Sequence, residues 1–345
     1  MITGPAKQEL KTEIKSLVQN KEWRVALDKL SNLSFQHDDP WIDSYLCNLR
    51  LKAFKHIVDT DGVPNEAHCP PMVEDPFPEC IDKIPEIDAK DLTLNNLAGG
   101  IKHHGSIIVR NFIGSEKAKE LKKGIDRVMN SSIKYEETEK GNIWFKPLQG
   151  DNSKRITNKG LKMMRESGSA RTLLSPRMTK NLIGIFNDLG LKEILHEYFN
   201  EAPCLSLNKW VLRKMNPLTF PADWHQDGAF MGKEIKSVNL WMALTECGKG
   251  TDKAGMDIIP KRLNDLVPTG TEGAIFKWSV SRKYVDDNFN QPERPHFNQG
   301  DAIFFDHLNL HSTSYSESFK TTRYAIETWF FAASSSPQNQ MPVVW

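Results

Sequence analysis

His225-Gln226-Asp227-Gly228 is the stretch of this 345-residue chain whose residue types and spacing first suggest chemistry. In an extended segment, side chains at i and i+2 leave the backbone on the same face, so the His225 imidazole and the Asp227 carboxylate converge on one point. Such a pair supplies two of the three ligands of the facial triad that holds non-haem Fe(II) and leaves other coordination positions open. A His-x-Asp pair also arises by chance as a histidine beside a turn-forming Asp-Gly, so a third ligand has to decide.

Three histidines follow: His296, His307 and His311. The phrase Gly300-Asp301-Ala302-Ile303-Phe304-Phe305-Asp306-His307-Leu308-Asn309-Leu310-His311 puts His311 at the end of a strand-turn pattern. His296 and His307 fit better as rim or surface histidines. Arg323, 12 positions beyond His311, opens the next apolar strand. A dicarboxylate that chelates iron at one end needs a cation at the other, and arginine offers a planar, permanently charged fork for it. Pairing as a hairpin would set His311 and Arg323 on facing strands of one barrel. Lys209 and Arg213 share strand parity and are candidates for substrate contact inside it, with Asn208 facing away. Gln226 should point opposite to the ligands, into supporting hydrogen bonds.

The elements that must position these residues are legible as patterns. Residues 1–60 read as a helical extension: Leu10, Ile14, Leu17 and Val18 recur at helical spacing, as do Ala26, Leu27, Leu30 and Leu33, and a third helix runs from Trp41 to about Val58. Residues 61–97 form a proline-rich connector. Residues 98–345 then make one domain, opening with the β-rich run Gly105–Phe112 and a helix capped by Ser115. Residues 140–170 read as polar loops in which Trp144, Phe145, Lys146, Lys154 and Arg155 are further residues within reach of a pocket. Helices begin at Ser175-Pro176 and at Lys192. Past Glu201 the chain turns to short strands: Leu205–Arg213, Val238–Leu244, Gly255–Pro260, Ala302–Phe305 and Tyr324–Phe331. The expected fold class is α+β, a double-stranded β-helix (jelly-roll, cupin-like) barrel flanked by helices with the N-terminal helical extension. No glycine-rich turn links a strand to a helix with dinucleotide or P-loop spacing.

Composition narrows the classes. Net charge is +1, which argues against bulk binding to nucleic acid or an anionic membrane. Five scattered cysteines without a Cys-x-x-Cys exclude a zinc ribbon and a disulfide framework, and fit a reducing compartment. Without a membrane-length apolar run or a signal-peptide core, the expectation is a cytoplasmic protein acting on a small molecule. The N-terminal helices are the part suited to a protein partner or self-association.

Taken in order, His225-x-Asp227, Gly300–Phe305, His311 and Arg323 resemble the phytanoyl-CoA dioxygenase family of Fe(II)/2-oxoglutarate oxygenases. Gly105–Phe112 followed by Ser115 is similar to that family's opening strand and helix, so the resemblance spans about residues 98–334. It implies that His225, Asp227 and His311 bind Fe(II), that Arg323 pairs with the distal carboxylate of 2-oxoglutarate, and that Trp241 lines the cosubstrate pocket. It implies O2 as the oxidant, succinate and CO2 as coproducts, and hydroxylation or a related oxidation of a C–H bond. Halogenases of the family carry a small residue where this chain has Asp227. The interval from His311 to Arg323 is a residue longer than the family's pattern, which implies a bulge in that hairpin. Nothing matches the family's acyl-CoA recognition. The competing readings are a non-catalytic jelly-roll binding module and a metal dioxygenase on a cupin-like barrel that needs no 2-oxo acid.

Overall fold

Three helices open the chain, α1 (Gly4–Gln19), α2 (Trp23–Gln36) and α3 (Pro40–Thr60). The computed structural model describes residues 2–60, 68–148, 157–218, 220–290, 292–337 and 339–345; Lys154, Arg155 and residues 61–67 of the connector lie outside them. Next come β1 (Glu86–Asp88), α4 (Leu94–His104), β2 (Ser106–Arg110), α5 (Gly114–Thr138), α6 (Asn158–Ser167) and β3 (Ser169–Arg171). The middle of the chain holds α7 (Pro176–Asp188), α8 (Leu191–Phe199), β4 (Pro203–Ser206), β5 (Val211–Met215), α9 (Gly228–Met231) and β6 (Ser237–Ala243). The last elements are β7 (Cys247–Gly248), β8 (Met256–Ile258), α10 (Arg282–Asn288), β9 (His296–Phe297), β10 (Ala302–Phe305), β11 (His311–Thr313), β12 (Arg323–Ala332) and β13 (Pro342–Val344).

One large sheet runs in the order β1-β2-β10-β6-β12-β4-β13, with β5 on the flank of β12 and β3 on β5. Among the described residues, only β1 and β2 pair in parallel. The sheet is not closed; β8 with β11 and β7 with β9 form two separate short pairs among the described residues. Side-chain alternation divides the large sheet into two faces. Val238, Leu240, Met242, Phe304, Ile326 and Phe330 pack with Leu121 and Ile125 of α5, Leu182 of α7 and Leu195 of α8. Trp241, Ala243, Ile303, Phe305 and Ala325 face the other way and meet Cys247, Met256, Ile258 and Phe297 of the short pairs. The result is a layer of helices, the large sheet, and the short strands, with the site between the last two.

β12 is the axis of this arrangement. It pairs with β6 along one edge, and with β5 and then β4 along the other. Its inward row puts Arg323 and Glu327 among apolar residues, and a buried charge in such a row calls for a partner or a ligand.

The extension is held by polar contacts as well as by its own core of Leu10, Ile14, Ala26, Leu30, Ile42 and Leu46. Asp43 of α3 accepts from Ser34 Oγ at 2.7 Å and from Arg177 Nε of α7 at 2.6 Å. Arg177 also pairs with Asp38, and Arg50 donates to the Val344 carbonyl at 2.9 Å. Burial pushes Asp43 up and Arg177 down, so the pair matters mainly through the charge that either would leave stranded. Asp43→Ala is therefore expected to lower stability by about 3 kcal/mol, read as a fall in the urea midpoint.

Several expectations change. Leu205–Arg213 is not one strand: Lys209 N and Trp210 N both donate to Ser206 O at 2.9 Å, and the turn between β4 and β5 resets the parity. The supposed loop 140–170 contains α6, capped by Thr157 accepting from Gly160 N at 3.1 Å; its two buried residues, Leu161 and Met164, make too thin a stripe to reveal it. α5 starts at Gly114 rather than behind a Ser115 cap. The connector supplies an edge strand, β1, and buries Phe77 and Ile84. β11 and β12 do not pair as a hairpin: β11 pairs with β8 and β12 with β6, so the chain between them crosses from one layer to the other and no bulge is involved.

Candidate metal centre

Backbone pairing far apart in sequence sets the two histidines side by side. His225 N donates to His311 O at 2.9 Å and His311 N to His225 O at 3.1 Å. Their ring centroids stand 4.4 Å apart. Gln226 points away, donating to Leu308 O at 2.7 Å and Asp265 O at 3.1 Å and accepting from Val267 N at 2.7 Å. The extended backbone stops there. Asp227 has helical dihedrals and caps α9, so its carboxylate returns to the histidines through a turn rather than by strand alternation. One donor atom from each of His225, Asp227 and His311 lies within 4.8 Å of the others, and His311 Nε2 is 3.9 Å from Asp227 Oδ2.

Gly228 makes this turn possible. Its N–H donates to His307 O at 2.9 Å, and a Cβ there would stand 3.0 Å from His307 Cδ2 and 3.1 Å from its carbonyl oxygen. Gly228→Ala is expected to cost about 1–3 kcal/mol and to displace Asp227, measurable as a lower thermal midpoint with weaker metal binding.

The electrostatics suit a divalent cation. Burial, and then the neighbouring His311, hold the His225 imidazole down at about 3, which keeps it in the neutral form that ligates metals. His311 Nδ1 lies 3.1 Å from the Asn309 carbonyl; the ring proton belongs on that nitrogen, and the Nε2 lone pair then faces Asp227. Burial pushes the Asp227 carboxyl up, a penalty that a cation between the three side chains would offset. Two imidazoles and one carboxylate are the donor set of a non-haem iron site with open positions.

The three side chains line a cavity of about 1150 Å³. Arg323 also lines it, 2% exposed. Its Nη1 reaches Gly255 O at 3.2 Å and Ala254 O at 3.5 Å, its Cζ stands 5.3 Å from the Trp241 ring centroid, and its Nε has no partner among the described residues. No carboxylate pairs with it among those residues, so Arg323 is a buried cation held by carbonyls and a ring face. Arg213 differs. It lines the cavity, but Glu327 grips it through two 3.0 Å hydrogen bonds and Ser169 Oγ accepts from it at 2.6 Å. Its charge is already neutralised. Lys209 lines the cavity with its Nζ 4.1 Å from the Phe230 ring centroid, and Asn208 lines it too, against the expected parity.

The other histidines lie elsewhere. His307 is engaged at both ring nitrogens, with Ser237 Oγ and Lys233 O each 2.9 Å away. His296 sits near Glu246 at 3.4 Å. Phe145 joins the helical core, while Lys146 lines a smaller cavity with Trp41 and Tyr135. Sequence reasoning missed Glu327, Trp278, Phe305 and Asn239, which all line the main cavity. Glu327 did leave a signal: it lies four residues from Arg323 in a strand otherwise free of charge, hence on the same face. Trp278 comes from the irregular segment before α10, where no periodicity marks it.

No family model matches this sequence, and no curated protein does. Similar solved structures exist. The chain matches SnoK, a non-heme alpha ketoglutarate dependent carbocyclase from nogalamycin biosynthesis, at 14% identity over 72% of this chain and 86% of that one, with a TM-score of 0.45. It matches EctD from S. alaskensis with 2-oxoglutarate and 5-hydroxyectoine at 14% identity over 68% and 74%, TM-score 0.46. EvdO2 from Micromonospora carbonacea var. aurantiaca complexed with 2-oxoglutarate matches at 15% identity over 71% and 90%, TM-score 0.41. Likenesses this distant carry no residue roles across, and the chemistry of the centre stands on its own side chains.

Proposed function

We propose that the chain is an Fe(II)- and 2-oxoglutarate-dependent dioxygenase that oxidises a C–H bond of a small molecule. The observation that carries this reading is the pairing of a His225/Asp227/His311 donor set with Arg323, a buried cation lining the same cavity with no carboxylate of its own. The two histidines and Asp227 would hold Fe(II) on one side, leaving positions for the 2-oxo acid and O2. Arg323, braced by Trp241, would hold the distal carboxylate of 2-oxoglutarate. Iron with 2-oxoglutarate and O2 supplies an oxidative decarboxylation in which one oxygen atom ends in succinate, CO2 leaves, and the other oxygen atom serves the oxidation of substrate.

The remaining residues orient and exclude water. Phe305, its ring 4.8 Å from that of His311, and Trp329 wall the centre on the sheet side. The Asn309 carbonyl holds the His311 proton away from the metal face. A fold of two facing layers with the His225/Asp227/His311 cluster between them supports the jelly-roll assignment for residues 98–345, with 1–60 as an appended helical unit and 61–97 as a connector that adds β1 to the sheet edge. A dioxygenase that uses no 2-oxo acid would leave the Arg323 charge without a counterion, which disfavours it. No helix among the described residues is long and apolar enough to cross a membrane.

The test is to incubate the protein with Fe(II), 2-oxoglutarate, O2 and a small-molecule extract. Succinate release that requires iron, together with a product heavier by one oxygen or lighter by two hydrogens, is expected. Absence of iron-dependent succinate from well-folded protein contradicts the reading.

A further inference from the structure

Once the proposed iron and 2-oxoglutarate are in place, the cavity holds an excess of positive charge in one region. Asp227 faces the metal, Arg323 the cosubstrate, and Arg213 is consumed by Glu327. Lys209 and Arg171 remain as cavity-lining cations with no carboxylate in ion-pair contact among the described residues, Asp227 and Glu327 acting on Lys209 only at longer range. Lys209 is only part exposed and its Nζ lies against the Phe230 ring, whereas Arg171 is exposed at the rim. An ammonium held on a ring face beside a neutralised ion pair has its remaining hydrogen-bond capacity directed to whatever enters the cavity.

The same region is aromatic. Phe230 and Trp278 have centroids 5.4 Å apart, and Trp278 meets His225 edge-to-face at 5.8 Å. Trp278 is stacked on Phe276 at 5.0 Å, yet remains 38% exposed beside the metal ligand. Indole surface left uncovered at the side of a buried metal centre is a surface for a ligand's apolar body.

We propose that the substrate is an organic acid, a carboxylate or phosphate on an apolar or aromatic body, whose anionic group is bound by Lys209 while its body lies along Phe230 and Trp278. This deepens the oxygenase reading and rests on it for the fate of the substrate, but not for the binding. The anion at Lys209 and the ring beside His225 would present the intervening carbons to the metal side of the cavity.

Binding can be read on metal-free protein through tryptophan fluorescence, titrating phenylacetate, phenyl phosphate and the neutral 2-phenylethanol. Saturable quenching by at least one acid is expected, at about tenfold or more higher affinity than the alcohol. Lys209→Met should remove that preference, Lys209→Arg should keep it, and Trp278→Phe should remove most of the quench. Preference for phenylacetate assigns a carboxylate, and for phenyl phosphate a phosphate. Equal binding of alcohol and acids, no saturable binding of either acid in the millimolar range, an unchanged preference in Lys209→Met, or a quench that survives Trp278→Phe each overturns the proposal. If instead the oxygenase reading fails, wild-type protein shows no iron-dependent signal with 2-oxoglutarate while the acid preference persists.

Discussion

Arg323→Leu is expected to raise the KM for 2-oxoglutarate by about 100-fold or more, with Fe(II) binding retained. Arg323 is 2% exposed, touches backbone carbonyls and the Trp241 face, and has no carboxylate in ion-pair contact among the described residues, Glu327 being committed to Arg213. Such a guanidinium gains its counterion only when the cosubstrate arrives. Removing one partner of a buried charge pair costs about 3 kcal/mol or more, which sets the hundredfold scale. Before the cosubstrate binds, burial holds the Arg323 guanidinium below its ordinary range. The leucine variant should therefore be no less stable than wild type in the absence of 2-oxoglutarate, and it should lose the stabilisation that 2-oxoglutarate gives wild type. Arg323→Lys, which keeps the charge but not the fork, should fall between the two. An unchanged KM in Arg323→Leu would place the anchor elsewhere.

Asp227→Ala is expected to lower Fe(II) affinity by about 100-fold or more and to reduce succinate formation at least as far. Outer hydrogen-bond partners of metal ligands cost about 10–100-fold when removed, and a direct ligand exceeds that. The metal-free protein should behave in the opposite sense. Burial pushes the Asp227 carboxyl above the ordinary aspartate value of 3.8, so the folded protein carries a penalty while this group is ionised. At neutral pH metal-free Asp227→Ala should be as stable as wild type or more so. As pH falls through the raised value toward 3.8, the folded carboxyl takes up its proton before the unfolded one, the penalty is relieved, and the difference between the two proteins shrinks. Added Fe(II) should raise the midpoint of wild type alone. A variant that keeps wild-type iron affinity would remove Asp227 from the ligand set.

Residue types made His225, Asp227 and His311 readable as candidate metal donors, and Arg323 as a candidate carboxylate anchor, before any geometry was known, because all four carry their chemistry in their side chains. The apolar runs that became β6, β10 and β12 were equally plain, since buried strands of a central sheet read as continuous hydrophobic stretches. What local pattern could not give was pairing. The supposed hairpin from His311 to Arg323 fails because β12 pairs instead with β4, β5 and β6, and β11 with β8. The strand rule brought Asp227 to the right place for the wrong reason: a turn at Gly228, tight against His307, returns the carboxylate. The turn after Ser206 likewise put Asn208 and Lys209 on one cavity. Arg213 lines the cavity, but its neutralisation by Glu327 depends on the register of β5 against β12, which no local window contains.

The most direct measurement is the visible absorption spectrum on anaerobic addition of Fe(II) and then 2-oxoglutarate. A three-residue iron site that chelates a 2-oxo acid should develop a metal-to-ligand charge-transfer band that saturates with 2-oxoglutarate, is absent in Asp227→Ala, and needs far more cosubstrate in Arg323→Leu. Well-folded wild-type protein that binds Fe(II) but develops no such band, or a band that persists unchanged in Asp227→Ala, would contradict the account.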